Sequence, residues 1–139
     1  ATFGTLSKMY KNLKNQSSLK SRIANEFGLF SARELSSWLE AISVLRNIIA
    51  HHSRIWYKIF SKKPTNINNH RFPWMLSDMT EHQRKRAFGV ISCLLYLCNA
   101  ITPNNTIKQD IKNLFNIYPN IPIFMIGYTN GWEHNPIWK

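Results

Sequence analysis

The chain has 139 residues, room for one compact domain and too little for two independent cores. Its composition, 44% hydrophobic and 13% aromatic and spread along the whole length, excludes a disordered tail, and no apolar run reaches the roughly eighteen residues of a membrane span. Eighteen Lys and Arg against seven Asp and Glu give a formal net charge of +11, for which a polyanionic partner is the natural expectation and a generally basic proteome or a solubility effect the other source.

In chain order, Phe3, Leu6, Met9, Tyr10 and Leu13 recur at helical spacing and predict a first amphipathic helix, ended by the polar residues 15–18. These opening residues carry polar and basic side chains too often to form the apolar centre of a secretory signal. The chain starts at Ala1 without an initiator Met, which suggests a fragment or a processed form. A second short helix is expected over residues 19–27, stopped by Gly28. Ser31 followed by Glu34 reads as a capping box opening the longest helical pattern, which runs to about Phe60.

From 61 to 77 the composition turns to Asn, Lys and Pro, and an exposed connection is expected. Thr80 with Gln83 is a further capping box, ahead of a helix over about 81–100 that is strongly apolar from Phe88 and should be the central core helix. Pro103, Asn104 and Asn105 turn the chain into a last amphipathic helix over 107–117, closed by Pro119. The remaining stretch, with Pro122, Gly127, Gly131 and Pro136 among large apolar residues, should pack as an irregular strap; 123–126 is its one candidate strand. An all-α bundle follows.

Cys93 and Cys98 lie five apart on one predicted helix and point in different directions, so buried free thiols in a reducing, cytoplasmic compartment are expected rather than a disulfide. No Cys or His pair has zinc spacing, and neither a metal nor a cofactor is expected.

On a helical wheel of the long segment, Ser36, Glu40, Ser43, Asn47, His51, Arg54 and Lys58 form a polar stripe, opposite Trp38, Ile42, Leu45, Ile49, His52 and Trp56. Asn47 precedes His51 by one turn on the same face, so its amide is placed to hold the imidazole or a substrate oxygen. His52 falls in the apolar stripe and reads first as a packed histidine, with a catalytic part held in reserve in case the helix is irregular near Ala50. Arg46 points about 140° away from His51 in an ideal helix, and the wheel alone makes it a solvated or ion-paired arginine. Three basic groups are spaced to neutralise phosphates: Lys8, Lys11 and Lys14; Arg54, Lys58, Lys62 and Lys63; and Arg84, Lys85 and Arg86.

The string Arg46-Asn47-Ile48-Ile49-Ala50-His51-His52-Ser53-Arg54-Ile55-Trp56 resembles the Arg-Asn-x-x-Ala-His-His-Ser-Arg-x-Trp signature of Abi (abortive-infection) proteins of the AbiD/AbiF-like group. Arg46 and His51 within it also match the looser Arg-x4-6-His motif of HEPN ribonucleases. The opening Thr2-Phe3-Gly4 and the closing Gly127-Tyr128, Trp132, Pro136 and Trp138 are similar to the second half of such proteins, so the family's N-terminal half is expected to be absent. The resemblance implies a HEPN-like helical fold and a metal-independent endoribonuclease of phage-defence or toxin type. Its catalytic residues would be Arg46, Asn47 and His51, with His52 in reserve. Within the string Arg54 would bind the RNA backbone and Trp56 belongs to the core, and the basic spacing noted above adds Lys58, Arg84, Lys85 and Arg86 as RNA-binding residues. HEPN sites form where two motif helices meet, so one motif per chain implies a homodimer, and an antitoxin RNA or protein is a further partner. A non-catalytic RNA-binding or regulatory module and a structural dimerisation domain are the competing expectations.

Overall fold

The computed structural model describes residues 3–13, 17–51 and 58–139. Among these residues the fold is all-α, as the periodicity predicts. Helices α1 (Phe3–Lys11), α2 (Ser17–Glu26) and α3 (Ala32–Ala50) are followed, after a long irregular segment, by α4 (Glu81–Arg84), α5 (Ala87–Ile101) and α6 (Ile107–Ile117). α3 is the hub and packs against α1, α2 and α5, while α4 abuts α5.

α3 begins at Ser31, whose hydroxyl accepts from the Arg33 N–H at 3.2 Å. It buries Leu35, Trp38, Leu39, Ala41, Ile42 and Leu45 at steps of three and four. Gly28 separates α2 from α3 at φ 71°, a left-handed conformation that costs an L side chain about 1–2 kcal/mol. Its carbonyl accepts from the Tyr96 hydroxyl at 3.1 Å and the Arg71 N–H at 2.9 Å, tying this turn to α5 and to the irregular segment.

Four expectations need correction. The long helix does not run to Phe60. It ends at Ala50, with His51 as its cap at φ −93° and ψ 12°, and residues 58–60 are not helical. The helix expected over 81–100 is broken at Lys85 and Arg86, because the Lys85 carbonyl accepts from the Phe60 N–H at 2.8 Å and Arg86 is extended. This elbow leaves Phe60 buried.

The segment 61–77 is also not simply an exposed connection. Pro64, Ile67, Trp74 and Met75 are buried, and the Trp38 indole donates to the Thr65 carbonyl at 3.0 Å. Asn66 makes paired bonds with the Met79 backbone at 3.1 and 2.8 Å. Trp38, Trp74 and Tyr96 form an aromatic triad with centroids 4.8 to 5.6 Å apart, joining α3, this segment and α5.

After α6 the chain makes short 3-10 turns at Ile123–Ile126, Trp132–His134 and Pro136–Trp138, so 123–126 is a turn rather than a strand. The expected strap is built around Tyr128, whose ring meets Phe88, Phe115, Trp132 and Trp138 in T-shaped contacts of 4.9 to 5.5 Å. Trp138 is fully buried against α5. Cys93 and Cys98 are free, and burial pushes the Cys93 thiol well above its ordinary range.

Candidate nucleic-acid interface

The C-terminal half of α3 presents two faces, and Arg46 lies on the ridge between them. On one side is a polar cleft of about 470 Å³ between α1 and α3. α1 contributes Gly4, Thr5, Ser7, Lys8 and Lys11; α3 contributes Glu40, Ser43, Arg46 and Asn47; Lys62 closes it from the next segment. Steps of three and four along both helices place these side chains on facing surfaces.

Among the described lining residues, four cationic side chains meet one carboxylate. Lys11 Nζ pairs with Glu40 Oε1 at 2.6 Å, so that carboxylate is already balanced and Lys8, Arg46 and Lys62 set the field of the cleft. An arginine fork, lysine charges and the Asn47 amide form a donor set suited to phosphodiester oxygens.

On the other side of the ridge is an apolar hollow of about 310 Å³ lined by Ile42, Leu45, Arg46, Ile49, Ala50 and Leu94. Ile49, which the wheel sets on the buried stripe beside Trp38, Ile42 and Leu45, is 58% exposed. Among the described residues, the stripe keeps its apolar character to the end of α3 but is left uncovered at Ile49.

The signature residues are therefore only partly brought together. Arg46 and Asn47 share the cleft. His51 is exposed one turn further on, its N–H bonded to the Asn47 carbonyl at 3.1 Å, and it does not line the cleft. His52, Ser53, Arg54 and Trp56 lie outside the described residues. Lys58 is exposed but not helical, so it does not continue the α3 stripe.

Arg84, Lys85 and Arg86 stand at the α4–α5 elbow and do not line the cleft. Arg84 Nε donates to the Pro64 carbonyl at 2.9 Å, and Arg84, Lys85 and Lys63 surround Glu81. The Lys63 hydrogen bond and the lysine charges hold the Glu81 carboxyl below its ordinary range. Part of this basic triplet is thus structural. Lys8, Lys11 and Lys62 are basic cleft residues that the signature does not contain; their signal is the basic spacing, and the packing of α1 on α3 brings Lys8 and Lys11 to Arg46 while Lys62 arrives from the segment after α3.

Among the described residues no helix is long and apolar enough to cross a membrane, and no group of three or more His, Cys, Asp or Glu is placed to hold a metal ion. No curated protein and no solved structure matches the chain. Residues 1–57 match the family model described as Abi-like protein, a stretch that spans α1 to α3 and the whole Arg46 to Trp56 string and supports the resemblance to the Abi family.

Proposed function

We propose that the protein is a metal-independent endoribonuclease of phage defence, of the abortive-infection or toxin type, acting as a homodimer in the cytoplasm. The observation that carries this reading is the convergence of Arg46 and Asn47 with Lys8, Lys11 and Lys62 in one basic cleft. The lysines hold the RNA backbone. Arg46 donates to the scissile phosphate as negative charge builds, and Asn47 orients a phosphate oxygen. His51, at the end of the same helix, takes the proton of the 2′-hydroxyl that attacks the adjacent phosphorus. The new O–P bond closes a 2′,3′-cyclic phosphate as the P–O5′ bond breaks, and the leaving 5′-oxygen takes a proton from solvent water to become a hydroxyl, the proton held by His51 returning to solvent. The apolar hollow beside Arg46 supports a second copy covering this end of α3, which would bring a second Arg46 and His51 toward the site.

The test is cleavage of single-stranded RNA in excess chelator by the wild type and by Arg46→Ala, Asn47→Ala and His51→Ala. The expected loss is about 10²- to 10³-fold for Arg46→Ala and about 10²- to 10⁴-fold for His51→Ala. Equal cleavage by all four proteins, or activity that vanishes with the chelator, contradicts the mechanism. One observation favours a second reading, a non-catalytic RNA-binding module: His51 lies outside the cleft lining. That reading predicts salt-sensitive binding lost in Arg46→Ala and no cyclic-phosphate product.

A further inference from the structure

We infer that Phe124, mounted on His82, is a stacking platform for the bases of single-stranded RNA, on a surface that shares no residue with the α1–α3 cleft. The inference rests on the RNA reading above and extends it to a second contact region. Phe124 is 59% exposed, yet its ring is fixed: it stacks on the His82 imidazole at 4.9 Å and 25°, and His82 Nε2 is hydrogen-bonded to the Phe124 carbonyl at 2.9 Å. The 3-10 turn beneath it is closed by Met125 N–H to the Pro122 carbonyl at 2.9 Å and Gly127 N–H to the Phe124 carbonyl at 3.0 Å, and is anchored by buried Ile126. An aromatic ring already held in place loses little conformational freedom when a base lies on it. Tyr118, 55% exposed at the end of α6, is joined to this turn through the Ile121 N–H, which donates to its carbonyl at 3.1 Å.

The charge around the platform selects the occupant. A Cβ on Gly127 would stand 3.1 Å from the Arg86 Cβ, so the turn carrying Phe124 lies directly against the basic elbow. The carboxylate of that elbow, Glu81, is already surrounded by Lys63, Arg84 and Lys85, which leaves the elbow net positive. A second copy of a chain of net charge +11, docked face to face, would bring two such elbows together and repel. A polyanion is attracted instead, and among polyanions a single strand has free base faces to stack.

The experiment is titration of a labelled twelve-nucleotide 2′-O-methyl oligoadenylate, which cannot be cut by 2′-hydroxyl attack, at several salt concentrations. Phe124→Ala is expected to weaken binding by about 5- to 150-fold, the range for loss of one stacked base, with the salt dependence unchanged. Phe124→Trp should bind like the wild type, and Phe124→Leu should behave like Phe124→Ala. Lys85→Ala should reduce the salt slope instead, by about one.

Wild-type affinity in Phe124→Ala or in Phe124→Leu overturns the platform. So does a concentration-dependent dimer that Phe124→Ala dissolves, since the surface is then an interface between copies. If Phe124→Ala weakens binding while wild type shows no cleavage, the platform stands and the nuclease reading falls. If only cleft variants weaken binding, the reverse holds. Failure of the wild type to bind the oligonucleotide overturns both.

Discussion

Trp138 donates its indole N–H to the Ser92 hydroxyl at 2.9 Å, and both groups are fully buried. This bond fastens the C-terminal turn to the middle of α5. Ser92→Ala leaves the indole N–H buried without a partner and is expected to cost about 1–3 kcal/mol in chemical denaturation. Adding Trp138→Phe to Ser92→Ala should cost less than the sum of the two single changes, because the orphaned donor is removed with it.

Two buried tyrosines should respond oppositely to loss of the hydroxyl. The Tyr128 hydroxyl is buried with no hydrogen-bond partner among the described residues, whereas that of Tyr96 donates to the Gly28 carbonyl. Tyr128→Phe is therefore expected to leave stability unchanged or raise it by up to about 1 kcal/mol. Tyr96→Phe should lower it by about 1 kcal/mol.

Burial pushes the Tyr128, Tyr96 and Tyr10 phenols above their ordinary value of 10.0. A raised folded value means that the neutral phenol is favoured by folding. The contribution is fully present below pH 10 and is lost as the pH rises beyond it. Unfolding midpoints measured from pH 8 to 11.5 should fall steeply above 10, less so in Tyr128→Phe. An identical decline in that variant contradicts the assignment.

Gly28→Ala combines a left-handed backbone with a Cβ standing 2.8 Å from the Tyr96 hydroxyl and 2.8 Å from the Phe72 ring. A loss of about 2–4 kcal/mol is expected in the same denaturation measurement.

In the cleft, Glu40 is the only acidic side chain among the described lining residues, and Lys11 balances it. Glu40→Gln should tighten RNA binding several-fold. Lys8→Ala should lower the slope of log affinity against log salt by about one, uniformly across RNA sequences. A change confined to particular sequences would assign Lys8 to base readout instead.

Much of this architecture is legible locally. α1, α2 and α6, the Thr80–Gln83 capping box and the start of α3 follow from periodicity and caps, because those signals act within one or two turns. The errors arise where distant backbone groups compete. The elbow at Lys85 exists because Phe60, twenty-five residues earlier, donates to its carbonyl. Asn and Pro in 61–77 correctly oppose regular structure, but they do not say that Pro64, Ile67 and Trp74 will be buried. Arg46 and Asn47 are legible through the signature string. The wheel sets Arg46 apart from the polar stripe, and it reaches the cleft because α1 packs alongside α3, which no local pattern in residues 46–51 records.

The central claim is most directly tested by the ends that cleavage leaves. A single-stranded RNA incubated with the protein in excess chelator should yield 2′,3′-cyclic phosphate and 5′-hydroxyl termini, and a 2′-deoxy residue should abolish cutting at its own 3′ phosphate. Cutting at the deoxy position, or 5′-phosphate products, would contradict attack by the RNA 2′-hydroxyl at Arg46 and His51.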